Sequence, residues 1–316
     1  MRLSSRWSNA LQIAASLALL ALAIAIARPS HLADALKNAR PAYLLFSLLF
    51  VPFLIALRVI RWHVLTRSRK TDMALRDSFH SYMGGLTLAI ITPFAAGEIA
   101  RGAIAAPDDR ASFMGLTFLD KIIDAVTLFL FACAGFAMIT TGLLRVAGVA
   151  VAVAGVASLT LARRVTAFLE RRLPDSRMAN ALRRASLAAR SVPPRVFAGC
   201  FLVATLNLAL YYLHLYIIMY GFSPAIRPEA VGLFPLITLS RIIPSVAGLG
   251  VREFTAGALF ANARYEVTSA AAVEASLMQF VTVNIIPVAI WIAAAGGLRR
   301  LAAAAKKNGD KGDQPR

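Results

Sequence analysis

The chain has 316 residues, 59% of them hydrophobic and 16% charged, with a mean hydropathy of +0.67. Ordinary soluble domains carry about 25% charged residues, so a soluble globular protein is excluded. The net charge of +18, from 34 Lys and Arg against 16 Asp and Glu, belongs in a chain this apolar to loops flanking membrane spans rather than to a nucleic-acid surface.

Arg2 and Arg6 precede an apolar stretch at about 10–27. It reads as an uncleaved first span, although ALAIAIA at 21–27 imitates a signal-peptidase site. A second span at 42–60 runs into RVIRW, where Arg58, Arg61 and Trp62 read as an interfacial anchor. Segment 79–104 is apolar but broken: TPFAAGEIARG at 92–102 sets Pro93, Gly97, Glu98 and Arg101 inside a membrane-like run. A third span, 112–140, carries LDKIID, in which Asp120 and Asp124 are four apart and share a helical face. A fourth span is expected at 143–162. Segment 163–195, with nine arginines among Leu, Phe, Ala and Val, reads as basic amphipathic helix on an anionic cytoplasmic leaflet. The fifth span is expected at 196–220. Segment 231–260 is broken again, by PSVAGLGVREF with Pro244, Gly248, Gly250, Arg252 and Glu253, and Arg241 lies just before it. The sixth span is 267–297, and 301–316 reads as a disordered basic tail.

The four histidines are scattered, and Cys133 and Cys200 both sit in apolar runs. No metal site, cofactor or disulfide framework is expected.

Sidedness follows from the basic loops. Segments 58–78, 163–195 and the stretch from 298 carry six, nine and six basic residues, and all three belong in the cytoplasm. With the N-terminus inside, this holds only if 79–104 and 231–260 each enter and leave on one side. Each is therefore expected to be a re-entrant hairpin or a pair of short spans, the first opening inward and the second outward. The two align on their prolines: Pro93-x3-Gly97-Glu98-x2-Arg101 against Pro244-x3-Gly248-x-Gly250-x-Arg252-Glu253. The expected fold is an all-α polytopic membrane protein of about six transmembrane helices plus two broken hairpins. It forms one membrane domain over 1–300, with inverted halves at about 8–141 and 142–298, as in secondary transporters.

Charges inside a membrane are costly and must pair or line a polar cavity. Glu98 and Arg101, three apart, are placed to pair locally. Arg101 is close in sequence and is the expected partner for Asp120 and Asp124, which repel one another unless something positive lies between. Arg252 and Glu253 are adjacent and are expected to point apart toward other partners. Gly97, Gly248 and Gly250 are expected to open backbone N–H groups to an anionic ligand, and Arg101, Arg241 and Arg252 suit a phosphate head group. Asn207, Glu274, Gln279 and Asn284 read as interhelical hydrogen-bonding groups.

The two Pro/Gly/charge motifs, LDKIID and RVIRW together resemble the flippase-like family of the lysylphosphatidylglycerol synthetase transmembrane region, over about residues 10–300. The resemblance implies a multi-pass inner-membrane protein and a lipid-flipping membrane part. The soluble aminoacyltransferase domain of the best-understood member is expected to be absent, since only a short tail follows residue 300. The expected function is translocation of an anionic or amphiphilic lipid, without enzymatic activity. Glu98, Arg101, Asp120 and Asp124 would form an inner site and Arg241, Arg252 and Glu253 an outer one. Two alternatives are a transferase using a lipid-linked donor, with Asp108 and Asp109 holding a metal, and a scaffold recruiting partners through 163–195.

Overall fold

The computed structural model describes residues 37, 39–92, 97–142, 146, 150, 177–240, 250–262 and 265–296. Within them the chain is helical, without a strand. Four helices are long and apolar enough to cross a membrane: Pro41–Arg67, Arg110–Ile139, Pro194–Phe222 and Ser269–Ala294. They coincide with the spans expected at 42–60, 112–140, 196–220 and 267–297. The spans expected at 10–27 and 143–162, and the tail, lie outside the described residues except for isolated positions.

The first long helix is α1 (Pro41–Leu48) continued by α2 (Phe50–Arg67). The break follows from Pro52, which has no N–H for the Leu48 carbonyl and crowds it with its ring. Next come α3 (Leu75–Ile91), α4 (Gly97–Ala105) and the second long helix, α5 (Arg110–Ile139). Then follow α6 (Arg177–Arg190) and the third long helix, α7 (Pro194–Phe222). A 3-10 turn (Pro228–Leu233) leads into the short α8 (Phe234–Leu239), and α9 (Val251–Leu259) follows. The fourth long helix is α10 (Ser269–Phe280), a π turn (Val281–Ile285) and α11 (Ile286–Ala295). The π turn falls just before Pro287, whose missing N–H leaves Val283 without its usual donor.

Large apolar side chains face outward on all four long helices: Leu45 and Phe53, Phe118, Leu202 and Ile290 are each more than 60% exposed. A bilayer, not water, is the solvent that accommodates such surfaces.

The molecule has two ends. At the first, Arg69 Nε lies 3.4 Å from Asp109 Oδ2, joining the α2–α3 and α4–α5 loops. The start of α5 packs under α6 so closely that a Cβ on Gly115 would overlap Ala185. At the second end, Arg40 N–H donates to Gly221 O at 2.8 Å and Arg227 N–H to Tyr265 O at 3.2 Å. The Ser223 hydroxyl donates to Glu266 O at 2.6 Å. Helices α2 and α10–α11 therefore run toward the first end, and α5 and α7 away from it. Trp291 Nε1–H donates to His80 Nδ1 at 3.1 Å, which ties α11 to the beginning of α3.

This frame orients the two broken segments. Helix α3 starts at the first end and α4 finishes there. The 3-10 turn starts at the second end and α9 finishes there, with the Phe260 and Tyr265 rings 6.2 Å apart and Ser269 Oγ–H donating to Gly257 O at 2.6 Å. Each segment thus begins and ends on one end of the molecule, and the two use opposite ends. Segment 163–195 is described from residue 177 on, and there α6 lies against α5 with Ala188 buried and Leu187 exposed.

Candidate functional site

The proline break shapes the first hairpin locally. Thr92 precedes Pro93 and adopts an extended backbone, φ −105° and ψ 142°, because the proline ring disfavours α geometry in the residue before it. Its hydroxyl donates to Leu88 O at 2.7 Å and accepts the Gly97 N–H at 2.8 Å. One side chain thereby closes α3 and caps α4. The two helices then pack antiparallel: a Cβ on Gly97 would overlap the Leu88 carbonyl carbon, and one on Gly85 would sit 2.5 Å from Arg101 Cβ. Gly97 therefore serves close helix packing, not exposure of backbone to a ligand as its position in the motif suggests. Pro93, Arg241, Pro244 and Gly248 lie outside the described residues.

This packing delivers Arg101 to the interior, 3% exposed, against α5. Its guanidinium pairs with Asp120 Oδ2 and stands 4.4 Å from the Trp62 ring centroid and 5.6 Å from that of Tyr82. The other oxygen of Asp120 lies 2.7 Å from Arg61 Nε, and Arg61 Nη1 lies 2.6 Å from Asp124 Oδ1. Arg61 thus bridges the two carboxylates. Trp62 is locked in turn by its indole N–H on Ser81 Oγ at 2.9 Å.

Three expectations are corrected here. Arg61 and Trp62 are not an interfacial anchor: they are 4% and 0% exposed, because the face of α2 that carries them packs on α3 and α5. Glu98 does not pair with Arg101 but with Lys121. Arg101 turns inward to Asp120, while Glu98, one helical turn earlier, stays at the rim. Asp124 takes Arg61, not Arg101, as its cation. Exposure rises across the network. Arg61, Arg101 and Asp120 are 1–4% exposed, Glu98 is 19%, and Lys121 and Asp124 are 37% and 42%. Arg58 borders the same region, donating from Nε to Asn207 Oδ1 at 3.1 Å.

The second broken segment carries a smaller network. Gly250 has φ 81°, a left-handed value that suits glycine, and it turns the chain into α9. Glu253, three residues on, accepts the Gly250 N–H at 2.8 Å, an N-terminal cap made by a side chain. The same carboxylate accepts from Arg252 Nε at 3.1 Å and Nη2 at 2.9 Å, and from Ser276 Oγ at 3.2 Å. Arg252 also donates to Ser276 O. Arg252 and Glu253 therefore do not point apart. Capping pulls Glu253 back over the helix start, and the long arginine folds onto it. The anion place at this helix start is taken by the protein's own carboxylate.

Asn207 Nδ2–H donates to Leu54 O and Gln279 Nε2–H to Tyr211 O, each at 2.9 Å between helices. Asn284 bonds within its own helix, to Phe280 O at 3.2 Å. Both carboxyl oxygens of Glu274 are buried without a hydrogen-bond partner among the described residues. Among those residues no three His, Cys, Asp or Glu side chains gather as a metal site, and Asp109 is engaged by Arg69.

Comparison with known proteins adds two findings. Residues 9–290 match the sequence model of the lysylphosphatidylglycerol synthase TM region. A UPF0104 membrane protein of Methanothermobacter thermautotrophicus is 31% identical over 118 residues, 37% of this chain. The match spans 35% of that relative's length.

Proposed function

This chain belongs to the family of the lysylphosphatidylglycerol synthase TM region, and on that premise we propose that it translocates an anionic or amphiphilic lipid across the inner membrane. The first end of the molecule, where Arg67, Arg69, Lys70, Arg76 and the α6 arginines lie, faces the cytoplasm. The two broken segments are re-entrant hairpins of an inverted repeat, gating from opposite sides.

One observation carries the proposal. Asp124 lies fourteen residues into the thirty-residue α5, about 21 Å along its axis, near the middle of a bilayer. It is 42% exposed there, beside Lys121 at 37%. An exposed charge at that depth costs on the order of 2.5–3.5 kcal/mol against hydrocarbon. A polar passage on this side of α5, open to water and lipid head groups, removes that cost.

The test is a liposome assay with purified protein and labelled phospholipids. Translocation faster than in empty vesicles is expected, with the rate altered by Lys121→Gln and Asp124→Asn, whose partly exposed side chains spare the fold. Rates equal to empty vesicles for every lipid class refute lipid translocation.

A further inference from the structure

Arg61 is held by two carboxylates of unequal standing, and this inequality points to a binding step. Asp120 is committed: one oxygen faces Arg61, the other pairs with Arg101, and it is 1% exposed. Arg101 is fixed by the Trp62 and Tyr82 rings. Asp124 is not committed in this way. One of its oxygens meets Arg61 Nη1 at 2.6 Å. The other is 3.5 Å from Lys121 Nζ, at the limit of a hydrogen bond, while Lys121 is drawn the other way to Glu98.

We infer that Asp124 is a displaceable counter-ion, which occupies Arg61 Nη1 in the empty protein and gives way to the phosphate of a ligand. A phosphate ester offers the guanidinium the same anionic oxygens as a carboxylate. The accessible side of the network suits one more anion. Among the described residues Arg61, Arg101 and Lys121 pair with Glu98, Asp120 and Asp124, and Arg58, bonded to Asn207, adds a fourth cation near Asp124. When Asp124 swings out, Arg61 Nη1, which Asp124 covers in a side chain only 4% exposed, is opened to an incoming anion, while Lys121 keeps its pair with Glu98. Arg61 stays beside Asp120, whose Oδ1 lies 2.7 Å from its Nε as an ion pair. The inference rests on the proposed lipid translocation and names the group that its inner site grips.

The test uses the full chain in nanodiscs of neutral lipid. Binding is measured for short-chain phosphatidylglycerol, for the matching diacylglycerol without phosphate, and for glycerol 3-phosphate and inorganic phosphate. Wild-type protein is expected to bind the phosphatidylglycerol and not the diacylglycerol. Asp124→Asn removes the competing charge and is expected to tighten phosphate-dependent binding about two- to fivefold, the range of an accessible ion pair. Binding of glycerol 3-phosphate or inorganic phosphate with equal strength assigns the site to a soluble phosphate; binding of phosphatidylglycerol alone assigns it to a lipid head group. Asp124→Asn that binds phosphatidylglycerol no better than wild type, in protein that translocates lipid, overturns the counter-ion role and leaves translocation standing. Protein that neither binds nor moves any of these lipids overturns both.

Discussion

Asp120→Asn isolates what the buried half of the ion network contributes. The substitution keeps the side-chain volume and removes the charge. Arg61 keeps Asp124 at 2.6 Å. Arg101 does not fare as well. Among the described residues Asp120 is its carboxylate partner, and at 3% exposure it is left with the Trp62 and Tyr82 rings alone. Removing one partner of a buried pair costs about 3–5 kcal/mol, and cation–π contacts return only about 1–2. The net loss is on the order of 1–4 kcal/mol, a drop in the unfolding midpoint on the order of 10 °C. Asp124→Asn, 42% exposed, should cost at most about 1 kcal/mol. Because the penalty sits on Arg101, adding Arg101→Met to Asp120→Asn should recover much of the midpoint. Thermal unfolding of purified protein in one detergent, followed by retention of the monodisperse peak, reads all four proteins. Equal midpoints for the Asp120 and Asp124 variants, or a double variant less stable than Asp120→Asn alone, refute the assignment of the cost to an orphaned Arg101.

Glu253→Gln weakens the Gly250 cap, the Arg252 pair and the Ser276 bond together; a loss of about 3 kcal/mol is expected in the same melting assay. Gly97→Val pushes a branched side chain into the Leu88 backbone and should abolish folded protein at normal expression, since neither helix can retreat without opening the hairpin. Lys121→Ala, which loses accessible pairs to Glu98 and Asp124, should change the stability by less than about 1 kcal/mol in the same melting assay. Single cysteines at Thr71 and Ser191 should label from the cytoplasmic side and one at Glu266 from the opposite side; labelling of all three from one side would contradict the arrangement of the ends. The native Cys133 and Cys200 are buried and should label slowly.

Much of this protein is legible in one dimension. A helix that crosses a bilayer must satisfy its own backbone over about twenty apolar residues, so 42–60, 112–140, 196–220 and 267–297 announce themselves by length. The stops at Ile91 before Pro93 and in the turn at Gly250 before α9 are equally local, since Pro and Gly act through their own backbone. Counting arginines in the loops led to the expectation that 79–104 begins and ends on one side. Ion pairing was not legible. Whether Arg61 anchors at an interface or bridges Asp120 and Asp124 depends on which face of α2 turns toward α5, and the long-range contact between residues 61 and 120 leaves no mark in the spacing of either. The same holds for Glu98, which has Arg101 on its own helix but meets Lys121 on the next. A guanidinium on a flexible stem reaches several angstroms in any direction, so its partner is settled by the rotation and approach of neighbouring helices, and only the tertiary structure decides those.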